Sequence, residues 1–134
     1  MFYEPEKRDR SLLPHDPFKA LIAPRPVGWI STRGTGGEIN LAPYSFFNAF
    51  SGAPPIVGFC SEGFKDSAYL AKESGEFVWN LASYDLRDQM NASSAPLPRG
   101  ASEFEHAGLE MADCFLVKAP RVKDAAAALE CKLR

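Results

Sequence analysis

Residues that pair hydrogen-bonding groups with bare aromatic surface crowd into one stretch, INLAPYSFFNAFSG, from Ile39 to Gly52. Pro43 is expected to end ladder pairing there, leaving the N–H groups that follow free to point outward. Ser45 and Asn48 add short polar side chains, while Phe46 and Phe47 add apolar faces. A planar heteroaromatic ligand with polar edges needs this mixture: backbone donors for its carbonyls and ring nitrogens, and carbon for its faces. A plain core segment accounts for Phe46 and Phe47, but not for Ser45 and Asn48 set among them and Phe50.

Two further groups extend that chemistry. In a strand over WIST, Trp29 and Ser31 share one face and Ile30 and Thr32 the other, so one face offers a large ring beside a hydroxyl. Exposed β-formers on a hairpin would read the same way. GFKDS, Gly63 to Ser67, stands at an expected helix start. Free N–H groups, the positive end of the helix dipole, the Lys65 ammonium and the Ser67 hydroxyl together describe a small phosphate site. Simple capping beside a solvated lysine is the alternative, with Asp66 as the N-cap.

Other candidates carry less. His106, inside SEFEHAGLE, is either a surface histidine or a residue beside a docked substrate, and His15 follows Pro14 in a polar arm. Arg99 is a solvated arginine unless its Pro-rich loop covers a phosphate. Glu103 and Glu105 fall on opposite sides of a short helix, which speaks against paired-carboxylate catalysis. The turn GTGG, Gly34 to Gly37, precedes neither a Gly-Lys-Ser/Thr sequence nor a helix, so its glycines serve a tight turn rather than a nucleotide loop. Cys60, Cys114 and Cys131 are odd in number and widely spaced, which fits packing thiols in a reducing cytoplasm better than a disulfide framework or a zinc site.

The elements that must position these groups are short. Residues 1–20 are polar and Pro-interrupted, an expected arm, with the domain proper at 21–134. Pro26 to Arg33 and Glu38 to Ala42 read as a hairpin, Ile56 to Cys60 as a short buried strand, and Glu76 to Leu81 as another. Asp66 caps a helix over Ser67 to Ser74 that Gly75 closes, and a second helical segment runs to Asn91. One helical turn is expected at 103–107. Strands are expected at Cys114 to Lys118 and Ala126 to Leu133, although the alanines at 125–128 also suit a short helix. Short strands between turns, with two small helices, favour a mainly antiparallel β-barrel over a doubly wound sheet.

Composition bounds the function. A chain of 134 residues makes one domain, and 46% hydrophobic with 24% charged residues is ordinary for a soluble globular fold. A net charge of −2 gives no basic face for nucleic acid. No apolar run is long enough to span a membrane, and the charged N-terminus lacks a secretory signal's apolar centre. A cytoplasmic protein is expected.

From Arg25 to Leu133 the chain carries, in order, RPVGWIST, a Gly-rich turn, NLAPYSFFNA, PPIVGF, KDS, EFVWNLA, SEFEHAGLE and LECKL. With these motifs in register it resembles the flavin reductase-like, FMN-binding split β-barrel family. The resemblance implies FMN in preference to FAD, bound near a homodimer interface. It also implies NAD(P)H as cosubstrate, with hydride passing from nicotinamide to flavin N5. Members are NAD(P)H:flavin oxidoreductases, reductase partners of flavin-dependent monooxygenases, or non-catalytic flavoredoxin-like electron carriers. Carried over by position, Trp29, Ser31 and Thr32 with Ala42, Ser45, Phe46, Phe47 and Asn48 would hold the ring and ribityl chain. Lys65, Asp66 and Ser67 would form the phosphate end. Thr is common in the family at the last of these positions, and Ser67 keeps its hydroxyl. The flavin carries the chemistry, so no catalytic side chain is implied, and His106 would stand on the substrate side. The family usually runs on past the equivalent of LECKL with strands that finish the barrel. A chain stopping at Arg134 is expected to be a fragment, or to have its sheet closed by a partner subunit.

Overall fold

The computed structural model describes residues 3–63, 65–98 and 100–134. Among the described residues, eight strands appear in chain order: β1 (Gly28–Arg33), β2 (Ile39–Tyr44), β3 (Phe47–Gly52), β4 (Pro55–Phe59), β5 (Glu76–Asn80), β6 (Met111–Ala112), β7 (Arg121–Val122) and β8 (Ala128–Lys132). Four short α-helices accompany them among the same residues: α1 (Pro17–Leu21), α2 (Asp66–Ser74), α3 (Arg87–Ala92) and α4 (Glu103–His106). The main sheet has the order β2-β1-β5-β8 and every pairing in it is antiparallel; β3–β4 and β6–β7 are separate two-stranded ribbons. The protein is mainly antiparallel β with a few short helices.

The β1–β2 hairpin forms where expected, from Gly28↔Tyr44 to Arg33↔Ile39. Its turn is closed by Gly34 N–H donating to the Glu38 carbonyl at 2.8 Å, with Gly37 at φ 95°, where a side chain would be strained. Pairing continues through Pro43, which was expected to end it. The reason lies in β2's position at the sheet edge. Leu41 N–H donates outward to Glu103, so Pro43, two residues on, also turns its nitrogen to the outer edge, where no ladder bond is missed.

Both faces of β1 are covered, and its alternation sorts the core. Trp29 packs with Leu41, Leu86, Phe104 and Val122; Ile30 packs on the other side with Tyr44, Phe47, Ala71 and Phe77. Asn80 stitches the centre: its Nδ2 donates to Ser31 Oγ at 3.0 Å and its Oδ1 accepts from Val122 N–H at 2.8 Å.

Several local expectations need correcting. Phe47 and Asn48 lie inside β3 rather than in an irregular segment, paired with Phe59 and Gly58. The strand expected to be buried at Ile56 to Cys60 is the half-exposed β4, with Ile56 40% exposed, because the β3–β4 ribbon has no further strand hydrogen-bonded beside it. Lys65, not Asp66, is the N-cap of α2, and Asp66 begins the helix; Gly75 ends it at φ 75°. No strand forms at 114–118, where Glu130 accepts the N–H groups of Phe115, Leu116 and Val117 in place of a ladder. The alanines at 125–128 lead into β8 and not into a helix. Cys60 is exposed, whereas Cys114 and Cys131 are half-buried and burial pushes both thiols up.

Candidate functional site

A cleft of about 490 Å³ opens along the outer edge of β2. Its floor is Asn40, Ala42, Pro43 and Tyr44, continuing into the bend at Ser45 and Phe46. One wall is the start of α2, with Lys65, Asp66 and Ser67; the opposite wall is the loop from Ser93 to Leu97, and Glu103 of α4 closes one side. Edge position explains the location. Half of β2's backbone groups have no strand to meet there, and side chains, solvent or a ligand satisfy them.

Of the residues expected at a site, Ala42, Ser45, Phe46, Lys65, Asp66 and Ser67 therefore line one cavity. Trp29, Ser31, Thr32, Phe47 and Asn48 do not. Trp29 is fully buried and donates from Nε1 to Ser93 Oγ at 3.0 Å, so it braces the loop wall from beneath. Ser31 is also buried, its hydroxyl donating to the Pro120 carbonyl. Thr32 is buried with no hydrogen-bond partner for Oγ1 among the described residues. Phe47 stacks on Trp79, centroids 5.7 Å apart, and Asn48 is exposed with Oδ1 accepting from Ala49 N–H. His106 is exposed and outside the lining, and both Phe64 and Arg99 lie outside the described residues.

Phe46 does not present a bare face. Phe18 of α1 stacks on it at 6.3 Å, and the Lys19 and Arg25 cations sit 5.7 and 5.4 Å from its ring centre. Arg25 also donates to the Ser45 carbonyl at 3.0 Å and to Lys19 and Ile22 carbonyls, which ties the end of α1 to the bend. Lys19, at the rim, pairs with Glu62 at 3.0 Å.

Polar groups remain for a ligand. Among the described residues, no backbone acceptor engages the N–H of Ser45 or Phe46. Lys65 is exposed, has no ion-pair partner among the described residues, and makes no side-chain bond to the first turn of the nine-residue α2. That helix start offers N–H groups and a positive dipole end directly to the cleft. Sequence reasoning missed Asn40, Ser93 and Glu103. The available signal was a lone amide inside the apolar run Ile39-Asn40-Leu41, which in a strand demands partners. Its Nδ2 donates to Glu103 Oε1 at 3.0 Å, and its Oδ1 accepts from the Ser67 hydroxyl.

Residues 21–134 match the model of the flavin reductase like domain. The chain belongs to that family. An uncharacterized protein of Deinococcus radiodurans is 42% identical over 122 residues, covering 84% of this chain and 54% of its own length. Component B of nitrilotriacetate monooxygenase from Bacillus cereus superposes with a TM-score of 0.85 at 30% identity, over 98% of this chain and 67% of that one. Flavoredoxin of Desulfovibrio vulgaris (Miyazaki F) shares the fold, with a TM-score of 0.77 at 19% identity over 83% of this chain and 61% of its own. The architecture is thus the split barrel of the flavin reductases, as the motifs implied. The chain spans between 53% and 61% of the curated relatives it matches.

Proposed function

We propose that the cleft binds FMN and that the protein is an NAD(P)H-dependent flavin oxidoreductase. The observation that carries the reading is the convergence of Ala42, Ser45, Phe46, Lys65, Asp66 and Ser67, from separate elements, on one cavity in a chain of this family. The size suits a cofactor, and the residues fit one with a polar-edged ring and an anionic tail. Lys65 and the first turn of α2 would hold the phosphate by charge and backbone donors. The N–H groups of Ser45 and Phe46, which meet no backbone acceptor among the described residues, would serve the polar edge of the ring and favour the negative charge of its reduced form.

The chemistry that bound FMN would supply is hydride acceptance from a nicotinamide. The chain positions the two rings and excludes water, with no acid–base pair required of it. Trp29 keeps the Ser93–Leu97 wall in place through Ser93, and Phe18 with Arg25 holds the Ser45–Phe46 bend. In this reading Trp29, Ser31 and Thr32 support the site from behind, and His106 takes no part in holding FMN.

The similarity to a monooxygenase component supports a second reading at the level of the partner, in which reduced flavin is passed to a separate oxygenase. The test is to load the protein with FMN, exclude oxygen, and add NADH or NADPH while following the flavin absorbance. Prompt bleaching is expected. A yellow protein inert to both nicotinamides would replace the reductase with an electron carrier, and refusal of FMN would remove the flavin site altogether.

A further inference from the structure

Glu103 is an acidic residue in the wall of a cleft assigned above to an anionic cofactor, and its carboxylate is the key to how that cleft is arranged. Both of its oxygens are occupied. Oε1 accepts from Asn40 Nδ2 at 3.0 Å and Oε2 from Leu41 N–H at 3.2 Å. A carboxylate only accepts, so the amide atom of Asn40 that meets it must be the nitrogen. The other amide atom, facing Ser67, is then the oxygen, and Ser67 must be the donor. This holds however an asparagine amide is otherwise assigned. Ser67 is also 1% exposed, against 9% for Asn40. Its hydroxyl proton is therefore spent inside the protein. Giving that proton to a phosphate would leave Asn40 Oδ1 buried and unpaired, a costly exchange.

We propose that Glu103 is a positioning residue for the phosphate end of the cleft, acting through Asn40 on Ser67, and that Ser67 is a strut rather than a phosphate ligand. The chain Glu103–Asn40–Ser67 runs from α4 across the outer edge of β2 to the second residue of α2. It fixes the depth and rotation at which α2 presents Lys65 and its first N–H groups to the cleft. The two donors absorbed by Glu103 blunt its repulsion of an anion. The inference rests on the flavin reading for the identity of the ligand, but not for the direction of the hydrogen bonds.

The test titrates FMN and riboflavin, by flavin fluorescence, into the wild type, Glu103→Gln, Ser67→Ala and the double variant. The substituted amide carries a donor where the carboxylate had none, so Asn40 turns over and the strut loses its orientation. The expected result is that Glu103→Gln weakens FMN by about fivefold or more while riboflavin changes little, and that the double variant is no worse than Ser67→Ala alone. Tighter FMN binding in Glu103→Gln would mean that Glu103 acts only as a repelling charge. Additive losses would mean that Ser67 binds phosphate independently. Either result overturns the proposal. A ligand-free measurement stands beside it: the Asn40 side-chain NH2 resonances should shift strongly in Glu103→Gln and weakly in Ser67→Ala. The reverse pattern overturns the proposal even if no flavin binds, whereas the expected pattern with no flavin uptake by the wild type removes the function and leaves the strut.

Discussion

At the scale of single residues, the site divides into groups that meet the ligand and groups that are spent on holding them. Lys65 belongs to the first kind: it is exposed, unpaired among the described residues, and stands at the N-cap of α2 without capping it. Trp29 and Ser31 belong to the second, since their polar atoms are committed to Ser93 and Pro120. The distinction has a measurable consequence. Lys65→Ala should weaken FMN by about 1–3 kcal/mol, the worth of a charge-assisted contact, and leave riboflavin nearly unchanged. Isothermal titration with both ligands checks it, and equal losses would place the phosphate elsewhere. Which residues fall in which class was only half legible in the sequence. The types in Ala42 to Phe46 and Lys65 to Ser67 already suggested a ligand with polar edges and an anionic tail. That Trp29, Ser31 and Phe47 face inward depends on which strand faces are covered, and β1 turned out to be covered on both.

Elements impose their own limits. The β1–β2 hairpin and α2 were legible because alternation, a Gly-rich turn and a terminal Gly75 are local signals. The course of β2 past Pro43 was not, because only the finished sheet makes β2 an edge. The Asn40–Glu103 contact likewise spans 63 residues of chain, beyond any local pattern. A close approach at Gly28 couples the main sheet to the β3–β4 ribbon: a Cβ there would lie 2.8 Å from the Phe47 side chain. Gly28→Ala should therefore push Phe47 off Trp79 and cost about 1–3 kcal/mol in denaturant unfolding. An unchanged midpoint would show that the ribbon moves freely. The segment before β7 rests on a carboxylate in place of a strand. The N–H groups of Phe115, Leu116 and Val117, with the nearby Arg121 charge, hold Glu130 below its ordinary range. Glu76 also accepts a hydrogen bond from the Lys118 N–H. A lowered carboxyl value means that the stabilisation is present above the ordinary Glu range and is lost as pH falls through the folded value. Acidification should thus release exchange protection at 115–117 before that of Val78 in the core. Loss of both together would contradict a local clasp.

Over the whole molecule, the chain belongs to the flavin reductase like family and has its split-barrel architecture. No helix among the described residues is long and apolar enough to cross a membrane. A second groove, about 700 Å³, runs between β8 and the β3–β4 ribbon and is lined by Ile56, Phe77, Leu116 and Leu129. Lys132 and Arg134 line it as well, so what sets the β2-edge cleft apart is the start of α2 and the bend at Ser45 and Phe46, neither of which reaches this groove, and the two cavities make different forecasts for where a flavin shifts resonances. The decisive measurement is a residue-resolved NMR titration of the protein with FMN. Saturable shifts concentrated at Ala42 to Phe46, Lys65 to Ser67 and the Ser93–Leu97 wall are expected. Shifts confined to Phe77, Leu116 and Leu129, or none at all, would contradict it.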